Sequence, residues 1–140
     1  MTKVTPAGPD EVRGFVAAAG LPSDDLGGVP TEIRVARRDG RLVGTVGVEL
    51  YGRHGLLRSL AVAETERGAG LGARLVREAE AAGRALGLRS MVLLTTTAAS
   101  FFERQGYTRL DRSEAPNAVR QSSQFRGTCP GSATCLAKAL

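Results

Sequence analysis

The chain has 140 residues, 42% of them hydrophobic and 24% charged, which suits one globular domain and leaves no room for a separate substrate domain. No apolar run approaches the ~20 residues that span a bilayer, and Met1-Thr2-Lys3-Val4-Thr5-Pro6 lacks a basic-then-apolar leader, so a cytoplasmic protein with no membrane partner is expected. Net charge is +5 with a sequence pI near 10.0, yet seventeen arginines lie scattered against two lysines and aromatics make up only 4%, which argues against a nucleic-acid partner and for small anionic ligands.

Residues 9–19 read as a helix: Pro9, Asp10 and Glu11 suit its first turn, Val12, Phe15, Val16 and Ala19 share one face, and Gly20 ends it. Residues 21–30, with two prolines, two aspartates and Gly27-Gly28, read as a loop. Strands over 33–38 and 41–50 flank Asp39-Gly40, a strong hairpin signal; a turn over 51–55 then leads into a strand over 56–62, completing an antiparallel meander. Leu71, Leu75, Ala79, Ala82 and Leu86 recur at helical spacing, with Glu80 and Arg84 as an i,i+4 surface pair and Gly87 at the end. Residues 91–96 are apolar on both faces and read as a buried strand, which the preceding helix makes parallel to 56–62. A short helix over 98–105 ends at Gly106, a strand follows over 107–110, a helix runs from Pro116 to about Ser122, and residues 125–136 add a last strand.

The most telling stretch is Arg67-Gly68-Ala69-Gly70-Leu71-Gly72, between the strand over 56–62 and the long helix. A helix start has unpaired N–H groups and the positive end of the macrodipole, glycines let an anion come close to the backbone, and Arg67 adds a cation. The spacing R-x-x-G-x-G is neither a Walker loop nor a full dinucleotide fingerprint.

Arg67 to Gly72, preceded by Leu60-Ala61-Val62-Ala63-Glu64, resembles the acetyl-CoA pyrophosphate loop of the GNAT N-acetyltransferases. Ala98-x-x-Phe101-Phe102-Glu103-Arg104-Gln105-Gly106-Tyr107 resembles that family's second signature, A-x-x-F-Y-E-K-L-G-F. The resemblance implies an α/β (α+β) fold with a mixed, mostly antiparallel central sheet containing a β-meander, a long central helix after the acetyl-CoA loop and helices on both faces. It implies acetyl-CoA as co-substrate, held by Leu60, Ala61, Val62, Arg67, Gly68, Gly70, Leu71, Gly72, Phe101 and Arg104. Within the family the chain resembles the arsenic-resistance enzymes that acetylate arsinothricin, a glutamate mimic, with phosphinothricin taken by some relatives. The residues that carry this are Leu57-Arg58-Ser59-Leu60-Ala61-Val62, Leu94-Thr95-Thr96-Thr97, Ala115-Pro116 with Val119-Arg120, and Cys129-Pro130-Gly131-Ser132-Ala133-Thr134-Cys135. N-acetylglutamate synthase-like proteins share much of the pattern. The implied partner is a small acidic amino acid bound by Arg58, Ser59 and Thr96, and a homodimer is compatible with the resemblance.

Acetyl transfer to an amine needs a neutral amine, an oriented carbonyl and a proton for the departing thiolate. Glu49, the one acid in an apolar strand, is the candidate base, with a solvent-facing strand residue as the plain alternative; Tyr51 shares its face and can hold substrate or water. Phe102 stands where many family members have tyrosine, so water, Tyr51 or Tyr107 must protonate the thiolate if anything does. Arg58 breaks an apolar strand, so it needs an anion: either an acidic acceptor or an internal partner such as Glu49. His54 is expected to be exposed in a turn. Cys129 and Cys135 with one distant histidine fall short of a zinc site, so no metal is expected, and packing is the ordinary role for the thiols. The remaining alternatives are another small-amine acetyltransferase, a thiol-based arsenic- or metal-binding protein, and a basic nucleic-acid module.

Overall fold

A computed structural model describes residues 2–128 and 131–140. Seven strands, β1 (Thr2–Ala7), β2 (Thr31–Arg38), β3 (Arg41–Tyr51), β4 (His54–Val62), β5 (Ser90–Thr95), β6 (Thr108–Arg109) and β7 (Thr134–Ala139), form one sheet in the order β1-β2-β3-β4-β5-β7-β6. The helices are α1 (Pro9–Ala18), α2 (Leu71–Ala85), α3 (Ala99–Arg104) and α4 (Asn117–Arg120).

The meander forms as its turns dictate. Asp39 and Gly40 both take left-handed φ, +52° and +78°, the conformation of the tight turn whose twist matches paired strands. The second turn is narrower than the expected 51–55, because Tyr51 and His54 already pair and only Gly52 and Arg53 lie between them. His54 is therefore the first residue of β4, half-buried, with Nδ1 2.7 Å from Ser90 Oγ rather than exposed in a turn.

Leu56 and Leu57, adjacent in β4, point to opposite faces and join different apolar clusters. One face packs on α2 through Leu71, Leu75, Val76 and Ala79, with Phe102 of α3 beside them. The other takes α1 through Val12 and Val16 against Ile33 and Val35, and α4 through Val119 against Leu56 and Val92. Helices on both faces of a mixed sheet are the expected fold class.

Three more expectations need correction. β1 was not anticipated, since six residues containing Pro6 make a weak signal; it lies at the sheet edge, where proline costs no ladder bond to a further strand. Leu86 is 52% exposed, because α2 ends at Ala85 and Leu88 turns back instead, its N–H donating to Gly83 O. Gly83 permits this, since a Cβ there would lie 3.0 Å from Leu88 Cδ1. Finally, Glu80 is not a surface residue paired with Arg84. It is buried, accepting from Tyr107 Oη at 3.0 Å and from Lys138 Nζ at 3.1 Å, and so ties α2 to β7 and to the segment between α3 and β6.

That buried cluster predicts a graded response. Removing the carboxylate leaves a cation and a hydroxyl under-partnered, so Glu80→Ala should cost about 2–3 kcal/mol, whereas Tyr107→Phe, which leaves the Lys138 contact intact, should cost about 1 kcal/mol. Urea unfolding with an unchanged slope is the measurement.

Candidate active site

β4 and β5 are parallel but joined by only three pairs: His54 with Ser90, Gly55 with Met91, and Leu56 with Val92. Beyond these the strands carry no mutual ladder, although β4 runs on to Val62 and β5 to Thr95. A cavity of about 720 Å³ occupies the gap, lined by Leu57, Arg58, Ser59 and Leu60 on one side and by Leu93, Leu94, Thr95 and Thr96 on the other. Unpaired strand edges that face a cavity offer backbone donors and acceptors to whatever enters.

A β-bulge helps to drive the divergence. Thr45 pairs with Ala61 and Gly47 with Arg58, so β4 has one residue more than β3 over this interval, and Ser59 inside it takes φ +59°. Thr45 Oγ1 donates to Ser59 O at 2.8 Å and holds the distortion. Ser59, which lines the cavity, is thus both strained and braced.

Past Val62 the chain reaches the glycine loop. Gly68 and Gly70 take φ +84° and +82°, and α2 starts at Leu71 with no side-chain cap and no acid in its first turn. Uncapped N–H groups with no competing carboxylate suit an anion. Gly72 packs under Phe101: a Cβ there would meet the ring at 3.4 Å, with Val62 at 3.8 Å. The loop, the end of β4 and the start of α3 are therefore one packed unit. Arg67 is exposed, its Nε donating to Val62 O. Arg104 lies elsewhere, in a separate 360 Å³ cleft with Arg77, Arg84 and Lys138.

At the inner end of the cavity sits Arg58, whose side chain has no solvent exposure. All five of its N–H groups are engaged. Nε donates to Ser59 Oγ; Nη1 to Asp25 Oδ2 and Glu49 Oε2, each at 2.8 Å; Nη2 to Asp25 Oδ1 at 2.8 Å and Pro22 O at 2.9 Å. Of the two readings of this arginine, the structure shows the internal pair with Glu49 and adds Asp25. Asp25 comes from the 21–30 loop and was missed; its only signal was a second aspartate in a loop otherwise short of charge. Burial raises the carboxyl pKa of Asp25, but hydrogen bonds from Arg58 and Ser123 outweigh it and hold the group below the usual carboxylate range. Burial likewise works against the Arg58 charge and is overcome by Asp25 and Glu49.

Glu49 and Tyr51 share a face as expected, with Tyr51 Oη donating to Glu49 Oε1 at 2.6 Å, but neither lines the cavity. Burial, reinforced by the Glu49 carboxylate, pushes the Tyr51 phenol well above its ordinary value, so it stays protonated and donates to Glu49. Tyr107 is no acid for the cavity either, since its hydroxyl is on Glu80. Phe102 lines the cavity and stacks edge-on to Phe101 and Tyr107 at 5.1 and 5.7 Å. Thr96 is exposed at the rim. Cys135 is buried beside Leu56 and Val92, and burial pushes its thiol up to about 11; Cys129 lies outside the described residues. Among the described residues no three His, Cys, Asp or Glu side chains gather as a metal site would require, and no helix is long and apolar enough to cross a membrane.

Residues 30–109, more than half the chain, match the acetyltransferase (GNAT) domain family, and the chain belongs to it. The chain is 29% identical over 124 residues to an amino-acid acetyltransferase of Ralstonia nicotianae, a match covering 80% of this chain and 28% of that protein. The N-acetylglutamate synthase of Neisseria gonorrhoeae, solved with coenzyme A and N-acetyl-glutamate, has the same fold with TM-score 0.82 at 20% identity, over 100% of this chain and 35% of that one. A GNAT acetyltransferase of Staphylococcus aureus, at TM-score 0.81 and 14% identity, is matched over 100% of this chain and 99% of its own. The chain therefore spans about a third or less of the first two relatives and nearly all of the third.

Two predictions follow from the arginine site. Glu49→Gln removes one partner of a buried pair and should destabilise the fold by about 3 kcal/mol in urea unfolding. Asp25, with its folded pKa below the ordinary value, contributes stability that is present above about pH 4 and lost as pH falls through the folded pKa, so the stability gap between the wild type and Asp25→Asn should close below about pH 4.

Proposed function

We propose that the chain transfers acetyl from acetyl-CoA to the α-amino group of a small glutamate-like amino acid, with arsinothricin as the acceptor and phosphinothricin as a related one. The single observation that carries the reading is the cavity between the diverging strands β4 and β5, with a guanidinium at its inner end and an uncapped helix start beyond its outer one. The amino-acid acceptor is supported by the amino-acid acetyltransferase and N-acetylglutamate synthase among the relatives, and arsinothricin by the resemblance carried by Leu57–Val62, Leu94–Thr97, Ala115-Pro116 with Val119-Arg120, and Cys129–Cys135.

In this reading the pyrophosphate lies on the N–H groups of Gly68, Gly70, Leu71 and Gly72 with Arg67 beside it. The pantetheine arm enters along the free edge of β4 at Leu60, Ala61 and Val62, and Phe101 backs the loop. The acceptor sits among Arg58, Ser59 and Thr96. A free amino-acid amine has a pKa between ~8 and ~10.4, so about 10⁻¹ to 10⁻³ of it is neutral at pH 7, and a base provides only a modest gain. Glu49 can supply that gain through the Tyr51 hydroxyl and water, while holding Arg58. A thiol of pKa near ~8.5 leaves tolerably as thiolate, so no dedicated acid is needed where Phe102 stands.

A second reading has its own observation. Asp24 and Asp25 line the cavity and the Arg58 fork is filled, which favours a basic amine without a carboxylate. Thiol release from acetyl-CoA over glutamate, phosphinothricin, arsinothricin, polyamines and peptides separates the two: turnover confined to the carboxylated amines upholds the first reading, turnover confined to polyamines the second. In the same assay Gly70→Asp, which places a carboxylate in the anion site, should weaken acetyl-CoA binding at least about 10-fold in a folded protein. Unchanged affinity by calorimetry would remove the loop assignment.

A further inference from the structure

We propose that Asp25 is a specificity-determining residue: its carboxylate occupies the Arg58 fork in place of the acceptor's carboxylate and yields the fork when a carboxylate-bearing acceptor enters. The inference rests on the acidic-acceptor reading above and adds the residue that decides it.

The donor count makes the exchange necessary. Arg58 has five N–H groups, and all five are engaged within the protein. An acceptor carboxylate brought to this arginine with Asp25 in place would find no free donor and two carboxylates already there, a like-charge crowd at a buried site. One resident group must leave.

Asp25 is the one built to do so. The side chain of Glu49 is 2% exposed and also holds Tyr51, whereas that of Asp25 is 15% exposed and lines the cavity on a loop. The two 2.8 Å contacts of Asp25 make the planar two-oxygen grip that an amino-acid carboxylate makes on a guanidinium, so the incoming group reproduces what it displaces. Net charge around Arg58 is then the same before and after. The remaining tether of Asp25 is Ser123, whose hydroxyl donates to Oδ2 at 2.5 Å from a different segment of the chain. Gly20 and Gly27, at φ +77° and +90°, bound the loop and give it turning points on either side. A neutral or basic amine has nothing to offer the fork and leaves Asp25 where it is, so the contact discriminates by charge.

Calorimetric titration of the full chain with glutarate, a dicarboxylate with no amine to acetylate, tests the idea without turnover. Asp25→Asn keeps the shape and removes the competing charge, so it should bind glutarate roughly 10- to 100-fold more tightly than the wild type, and adding Arg58→Lys should abolish the gain. In kinetics with L-glutamate, KM should fall in the same direction with kcat little changed. A natively folded Asp25→Asn variant with glutarate affinity equal to or below that of the wild type would overturn the proposal. Ser123→Ala, which loosens Asp25 without touching Arg58, should show a smaller gain; if Asp25→Asn does not fold, no gain in Ser123→Ala decides against the proposal. The two readings separate cleanly. Tighter glutarate binding with no acetylation of any carboxylated amine keeps the exchange and removes the acceptor assignment, and acetylation of glutamate with no gain does the reverse.

Discussion

A guanidinium with no solvent exposure must have every N–H satisfied and its charge balanced, and most of the candidate site is arranged around meeting that demand for Arg58. Glu49 supplies the inner carboxylate from β3 and Ser59 a hydroxyl from the bulge in β4. Asp25 and Pro22 close the outer side from the loop after α1. Three separate segments are thereby fixed relative to one another by a single side chain. Such an arrangement is weak evidence for stability, since desolvating three charges is costly and hydrophobic replacements often do as well. Its worth lies in placement: the arginine is held at the point where the sheet opens.

That opening is a second constraint, and it is geometric. Parallel strands that pair for three residues and then part leave backbone groups without partners, which is tolerable only beside a cavity that water or ligand fills. The bulge at Ser59 turns β4 away, Thr45 pins the distorted carbonyl, and β5 remains anchored on its far side by six pairs with β7. The gap is thus rigid on both walls. Continuing along β4 leads directly to an uncapped helix start, so the buried guanidinium and the unpaired helix N–H groups are set along one strand.

The meander, the long helix and the crossover strand were legible because each rests on local chemistry: Asp39-Gly40 dictates a turn, and Leu71, Leu75 and Ala79 dictate a face. The glycine loop was legible for the same reason, since positive φ at Gly68 and Gly70 is written in residue type. Arg58 and Glu49 stood out as charges in apolar strands, and their pairing was foreseeable from adjacency. What stayed hidden depends on distant partners. Asp25 looks like any loop aspartate until the loop is folded over β4, and Glu80 follows a helical surface pattern until Tyr107 and Lys138 arrive from 27 and 58 residues away. Leu86 fits the helical period, but the period says nothing of a glycine at 83 that lets Leu88 fold back.

The placement of β7 bears on how the molecule is made. It lies between β5 and β6, yet residues 134–139 are translated after both, so the chain passes through a stage in which the outer edge of β5 is bare. Met91, Val92 and Leu93 would then present an apolar, unpaired strand of the kind that recruits other chains. Arrival of β7 covers that edge and also brings Lys138 to neutralise Glu80 inside the sheet–helix interface. Closure of the hazardous edge and discharge of the buried acid are one event, so nascent chains stalled short of residue 134 are the species for which a chaperone matters most.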